Sequence, residues 1–311
     1  MRILRPLSDS LMIPESTLDY IIRSAPFRYK VFKIDKRNSN GKRTIAQPAR
    51  EVKALQYWVM EKILRHFPIH PAAMAYRKGR NITANAAKHA PQRFLLKMDF
   101  RDFFNSITSD DLEAYLRNPS KEEWSEEDIS YLKNILFWNR DRKGKLIMSI
   151  GAPSSPMLSN ILMYDFDKQI QSFCTKRKVK YTRYADDLAF STNRRNILRE
   201  IEVQVARICE ELAFPHLKVN TEKTVHASRN GTRRVTGLVL TNDGVVSLGR
   251  DKKRLIRAQV NHYIHGMLSL DEARKLHGML AFVNSSEPAF IQRLKDNYGD
   301  DVIDSIIRLS D

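Results

Sequence analysis

Two cysteines, Cys174 and Cys209, are all that the 311 residues contain. Far apart in sequence, they make neither a disulfide framework nor a zinc cluster, which points to a reducing cytoplasm. Glycine is also sparse, at 11, which excludes collagen-like repeats and Gly-rich linkers. No apolar run approaches the roughly 20 residues that a membrane helix needs, so no membrane partner is expected. The first ten residues carry Arg2 and Arg5 without an apolar stretch behind them, so no secretory signal is expected. Internal repeats and low-complexity segments are absent as well. The composition, 42% hydrophobic and 29% charged, is that of a soluble globular protein. Its length allows two or three compact units at roughly 100–200 residues each.

Charge is plentiful and mostly of one sign. Lys and Arg number 53 against 36 Asp and Glu, a net charge of +17. The excess is segregated. Residues 1–98 carry net +14, residues 99–243 net +2 and residues 244–311 net +1. A surface that served solubility alone has no need to segregate. Clustered cations suit a polyanion, because binding releases condensed counterions. Acidic residues able to do chemistry lie elsewhere, in the near-neutral middle.

Local patterns predict mixed strands and helices followed by a helical end, an α+β class. A short helix is expected over 16–25, with Ser16 as its N-cap. Residues 28–33 and 43–47 alternate around Asn38-Ser39-Asn40-Gly41, the mark of a basic hairpin. Helical spacing recurs at 50–66, 81–89, 109–117, 126–138, 156–171 and 194–213. Strands are expected at 94–98, 146–148 after a Lys143-Gly144 turn, 179–184, 188–191, 218–220 and 234–241, with a further turn at Asn242-Asp243-Gly244.

Tyr184-Ala185-Asp186-Asp187 joins two short apolar strands. For an arbitrary Asp-Asp pair a solvated turn is the ordinary explanation. Here rigid strands hold two repelling carboxylates together, an arrangement that divalent cations favour. Asp99 ends the buried strand 94–98 and supplies a third carboxylate. Asp102 is either a cap or a secondary ligand. Asp99, Asp186 and Asp187 are the set that two-metal phosphoryl transfer needs if their strands are neighbours, and a hard oxygen site of this kind suits magnesium. His66 and His70 stand four apart across Pro68 with no Cys near, so a helix-end or surface role is expected. His262 and His265 fit a helix facing a polyanion better than a metal site.

Over roughly residues 25–260 the chain resembles bacterial retron-type reverse transcriptases, with their motifs in order. Met98-Asp99-Phe100-Arg101-Asp102-Phe103-Phe104 is similar to the first palm motif. Gly151-Ala152-Pro153-Ser154-Ser155-Pro156 with Leu158-Ser159-Asn160 is similar to the second, Tyr184 to Asp187 to the third and Asn220 to Thr224 to the fourth. Asn85-Ala86-Ala87-Lys88-His89 and Val235-Thr236-Gly237 resemble two elements typical of retron enzymes. One departure is Ile150, where the family usually has Gln before the glycine. An Ile lacks the amide that could touch a template–nucleotide pair.

The resemblance implies a right-hand RNA-directed DNA polymerase. Fingers would come from residues 1–97, palm from 98–112 and 149–242, a fingers/palm insertion from 113–148 and thumb from 243–311. Asp99, Asp186, Asp187 and the Phe100 carbonyl would bind two Mg2+ ions. Phe104 would exclude a ribose 2′-hydroxyl, and Arg43, near Lys30 or Lys53, would clamp the triphosphate. Lys223 would protonate pyrophosphate, and Gly151 would let backbone pass close to template or nucleotide. Asn85, His89, Val235, Thr236, Gly237, Arg250, Lys252, Lys253, Arg254 and Arg257 are the expected RNA contacts, although the thumb cations equally fit a solvated stripe. Implied partners are a cognate structured noncoding RNA (template and primer), its branched RNA-linked DNA product, deoxynucleoside triphosphates, a phage-defence effector protein and host ribonuclease H. A group II intron-like or diversity-generating reverse transcriptase, and a non-catalytic RNA-binding scaffold, are the alternatives.

Overall fold

The computed structural model describes residues 3–35, 41–118, 123–141 and 144–309. Expected turn residues 38–40 and Lys143 lie outside this set. Helices and antiparallel strands alternate through the middle of the chain, and four helices end it. A four-stranded sheet has the order Lys180–Tyr184, Asp187–Thr192, Phe94–Asp99, Val225–Ser228. Its residues explain it. Leu95, Leu96, Met98, Leu188 and Phe190 are buried apolar residues, as strands covered on both faces require.

The chain divides into two compact units. The first comprises residues 1–76, 98–188 and 199–224. Its basic hairpin pairs Tyr29–Asp35 with Lys42–Pro48 in antiparallel register, Tyr29 opposite Pro48 and Ile34 opposite Arg43. Helices Glu15–Ser24, Arg50–Lys62 and Glu126–Leu136 bury Leu18, Ile22, Val52, Leu55, Val59, Leu132 and Ile135. A further helix, Leu4–Leu11, precedes them. Pro14 rather than Ser16 occupies the N-cap of the second helix. The proline's fixed φ suits a helix entrance, and no side-chain cap is made. The helix expected over 156–171 is two, Ser155–Leu162 and Tyr164–Lys176, joined at Met163. Asp165 and Asp167 fall in the first turn of the second, where carboxylates favour a fresh N-terminus.

The second unit comprises residues 77–97, 189–198 and 225–311. Its core gathers Ala86, Leu95, Val235, Leu238, Leu240, Ile256, Val260, Leu276, Leu280 and Phe290. The expected strand 234–241 is instead a hairpin, Arg233–Val235 and Leu238–Leu240, with Leu238 opposite Val235. Thr236 and Gly237 form its two-residue turn at φ +48° and +80°. Two positive φ values match the twist of a tight hairpin, and the glycine supplies one without strain. Helix Leu270–Ser286 begins with a full capping box, Ser269 and Glu272. Among the described residues no helix is long and apolar enough to cross a membrane.

Candidate active site

In the first unit three chain segments converge. Phe94–Asp99 ends at Asp99, whose carbonyl accepts from the Asn220 N–H at 2.7 Å. One residue on, the Phe100 N–H donates to the Asp186 carbonyl at 3.3 Å, and the Arg101 N–H to the Lys218 carbonyl at 2.8 Å. The expected strand 218–220 is reduced to a single bridge, Phe100 to Val219. It then turns through the short helix Thr221–Lys223. That turn delivers the Lys223 ammonium to Asp99, 3.0 Å from each carboxylate oxygen. Sequence reading gave Lys223 only the role of proton donor to pyrophosphate; its pairing with Asp99 is a finding of the structure.

Ala185 and Asp186 are the two-residue turn between their strands. Ala185 takes the left-handed conformation, φ +58°. Asp187 opens the next strand. Burial, then the negative charges of Asp187 and Asp99, push the Asp186 carboxyl up to about 6, against partial relief from its own backbone hydrogen bond and from Lys223. Three carboxylates near one another, one of them raised by burial and by the charges of the other two, are a hard-oxygen donor set in need of positive charge. With the Asp99 side chain on Lys223, no group of three Asp, Glu, His or Cys side chains forms a ready metal cage among the described residues. The donor chemistry nevertheless fits a divalent cation, and the lysine supplies positive charge at the same place.

A buried network supports this turn, and no sequence signal pointed to it. Arg183 and Asp167 are both fully buried and paired, Nη2 to Oδ2 at 2.7 Å and Nε to Oδ1 at 2.9 Å. The Tyr181 hydroxyl donates to Asp167 at 2.6 Å. Arg183 Nη1 donates to the Ala185 carbonyl at 3.2 Å and to the Asn160 Oδ1 at 3.1 Å. Asn160 in turn donates to the Ala75 carbonyl at 3.0 Å. Arg183 therefore holds the residue just before Asp186 by its backbone.

Beside these groups lies a cleft of about 360 Å³ lined by Lys53, Tyr57, Tyr76, Phe104, Ile150 and Gly151, among others. Phe104 is half-buried in it, while Phe100 is fully buried and stacked on Phe103. Arg43 is exposed on its strand. Asp102 is exposed, has φ +45° and makes no side-chain cap. Gly151 has φ +125°, and a Cβ there would stand 3.0 Å from the Ala46 carbonyl oxygen. The close backbone is the basic hairpin, which also donates its Ala46 N–H to the Ile150 carbonyl at 2.8 Å.

The expected RNA contacts divide sharply within the second unit. Asn85, His89 and Val235 are buried. His89 Nδ1 pairs with the Ser191 hydroxyl at 2.7 Å, and Val235 is core. All three side chains belong to the interior of this unit. Thr236 ties the two elements together, its hydroxyl donating to the Ile82 carbonyl at 3.2 Å. On helix Arg250–Ile264, Arg250, Lys252, Arg254 and Arg257 are exposed. Lys253 is not: its ammonium is 2.6 Å from Glu287, which also accepts from the Leu248 N–H at 3.0 Å and from Arg293 at 3.1 Å.

Comparison with known proteins now decides the family. The family described as reverse transcriptase (RNA-dependent DNA polymerase) matches residues 34–249. The chain belongs to the retron-type reverse transcriptases. It is 42% identical over 296 residues to the retron Ec83 reverse transcriptase of Escherichia coli, covering 94% of each chain. To the retron Ec86 reverse transcriptase of the same organism it is 32% identical, covering 96% of this chain and 91% of that one. Among solved structures, apo telomerase from Candida tropicalis matches with a TM-score of 0.50 at 12% identity, over 80% of this chain and 51% of that one. That likeness is one of fold, and with the family it supports the right-hand polymerase class. Members of this reverse transcriptase family generally use divalent metal ions.

Proposed function

We propose that this retron-type reverse transcriptase copies a cognate structured noncoding RNA into single-stranded DNA that stays joined to the RNA through a branch, starting from an internal guanosine 2′-hydroxyl. The reading rests above all on the convergence of Asp99, Asp186 and Asp187 beside Lys223, within a chain of retron-type sequence. In this reading residues 1–97 and 113–148 form fingers, 98–112 and 149–242 palm, and 243–311 thumb. Asp99, Asp186, Asp187 and the Phe100 carbonyl hold two magnesium ions. Ions held there would supply Lewis acidity to the attacking hydroxyl and positive charge to the triphosphate. The chain's own groups do the rest. Arg43 grips the triphosphate through its planar fork. Phe104 stands where a ribose 2′-hydroxyl would project. Lys223 leaves Asp99 and gives its proton to the departing pyrophosphate. The exposed cations Arg250, Lys252, Arg254 and Arg257 meet RNA phosphates. Removal of copied template falls to host ribonuclease H. The setting is the bacterial cytoplasm, and the product serves phage defence with an effector protein.

The test uses the whole protein purified with its bound nucleic acid, labelled deoxynucleotides and Mg2+. A discrete labelled DNA is expected, resistant to ribonuclease and altered in mobility by debranching enzyme. It disappears in Asp186→Asn/Asp187→Asn. Synthesis only on an added primer–template would leave a polymerase and remove the branched product. No metal-dependent synthesis on either would overturn both.

A further inference from the structure

Tyr76 stands out on three independent grounds. Its backbone is left-handed, φ +59°, a strained conformation uncommon for a bulky residue. Its support does not yield. Ala72, Ala73, Met74 and Ala75 are all buried. They are fastened to the strand bearing Arg183, with Met74 N–H to Arg183 O at 2.7 Å and Arg183 N–H to Ala72 O at 2.9 Å. Asn160 holds the Ala75 carbonyl. From this fixed base the Tyr76 side chain stands half exposed in the cleft it shares with Phe104.

A tyrosine placed only for packing does not need a strained backbone to reach a solvent-filled cleft. The ring faces Phe104, centroids 6.5 Å apart and tilted 57°, so the two aromatics are neighbouring walls of one space. The hydroxyl is raised above its ordinary pKa by burial and by the charges of Asp186 and Tyr184, with Arg43 opposing. It therefore stays a neutral donor at physiological pH. It also lies within reach of the fields of both the carboxylate turn and the arginine assigned to the triphosphate.

Building on the polymerase reading above, we propose that Tyr76 contacts the incoming deoxynucleotide directly, its ring packing on the sugar beside Phe104 and its hydroxyl donating a hydrogen bond to the triphosphate. The strained φ is then the cost of presenting an aromatic donor between sugar and phosphates. No proton is transferred, so the residue sets affinity and sugar choice rather than the chemical step.

The experiment is steady-state DNA synthesis by the full chain on a primed RNA template with Mg2+. Loss of one hydrogen bond to a charged group predicts that Tyr76→Phe raises KM for the deoxynucleotide about tenfold, with kcat within about twofold. Tyr76→Ala raises KM further and narrows the preference for deoxy- over ribonucleotides. Tyr76→Gly relieves the backbone and raises Tm while still raising KM, which separates substrate contact from folding. Wild-type KM in Tyr76→Phe, or losses confined to kcat or tracking Tm, would overturn the assignment in an active polymerase. An inactive wild-type protein would overturn the polymerase reading and this one with it.

Discussion

At the scale of single residues, the carboxylate turn is a site built against its own stability. Between the ordinary value of 3.8 and about 6, folded Asp186 keeps a proton that the unfolded chain releases. The folded state therefore binds more protons, and this group makes the metal-free protein less stable as pH rises through that window. Asp186→Asn removes the penalty. Without metal, the variant's Tm is expected to exceed wild type by about 2 °C or more at pH 7.5 and to match it near pH 4. Mg2+ should raise the wild-type Tm and leave the variant nearly unmoved. Thermal melts at both pH values, with and without metal, read this directly. A wild-type advantage at pH 7.5 without metal would show that the three charges do not repel. Much of this site was legible in the sequence because the adjacent aspartates sit between short apolar strands, in a run of motifs whose order resembles that of the family. Tyr76 was not legible. A tyrosine between an alanine run and basic residues carries no periodic or motif signal, and its meaning lies in a backbone angle.

At the scale of elements, periodic segments were readily legible and junctions poorly so. The basic hairpin, the helix Ile82–His89 and the helices after residue 250 follow their apolar spacing. The strand expected over 234–241 failed because Val-Thr-Gly-Leu looks continuous to an alternation rule, while Gly237 permits the reversal. The Arg183–Asp167 pair was invisible for another reason. Charged residues inside strand and helix patterns read as solvent-facing, and only tertiary structure shows both at zero exposure. That pair joins one strand, one helix and the segment beneath Tyr76, so removing one member strands the other's charge in the interior. Arg183→Met is expected to cost about 3–5 kcal/mol. Urea denaturation should show the midpoint falling with the slope unchanged. Asp167→Asn with Arg183→Met should recover part of the loss, since the uncompensated carboxylate goes with it. A loss of less than about 1 kcal/mol in the single variant would mean that the pair does not carry the turn.

At the scale of the whole molecule, charge is arranged by task. The basic first third and the exposed cations of helix Arg250–Ile264 flank, in sequence, a near-neutral middle that holds the carboxylates. A chain of net +17 that carried acids throughout would bind RNA less tightly, and one with cations at the carboxylates would compete with metal. Not every cation serves the same end, and salt dependence sorts them. Each cation that neutralises a phosphate contributes roughly 0.7–0.9 to the slope of log affinity against log salt. Arg254→Gln and Arg257→Gln, both exposed, are each expected to lower the slope for structured RNA by about 0.7. Lys253→Gln should leave the slope unchanged, because that ammonium is committed to Glu287 at 2.6 Å. It should instead lower Tm, since Glu287, which also holds Leu248 and Arg293, loses its nearest counter-charge. Titrations at several salt concentrations beside thermal melts of the three variants separate the two roles. If Lys253→Gln flattened the slope as much as its neighbours did, the ion pair would have to open on RNA, and Glu287 would be a latch rather than a brace.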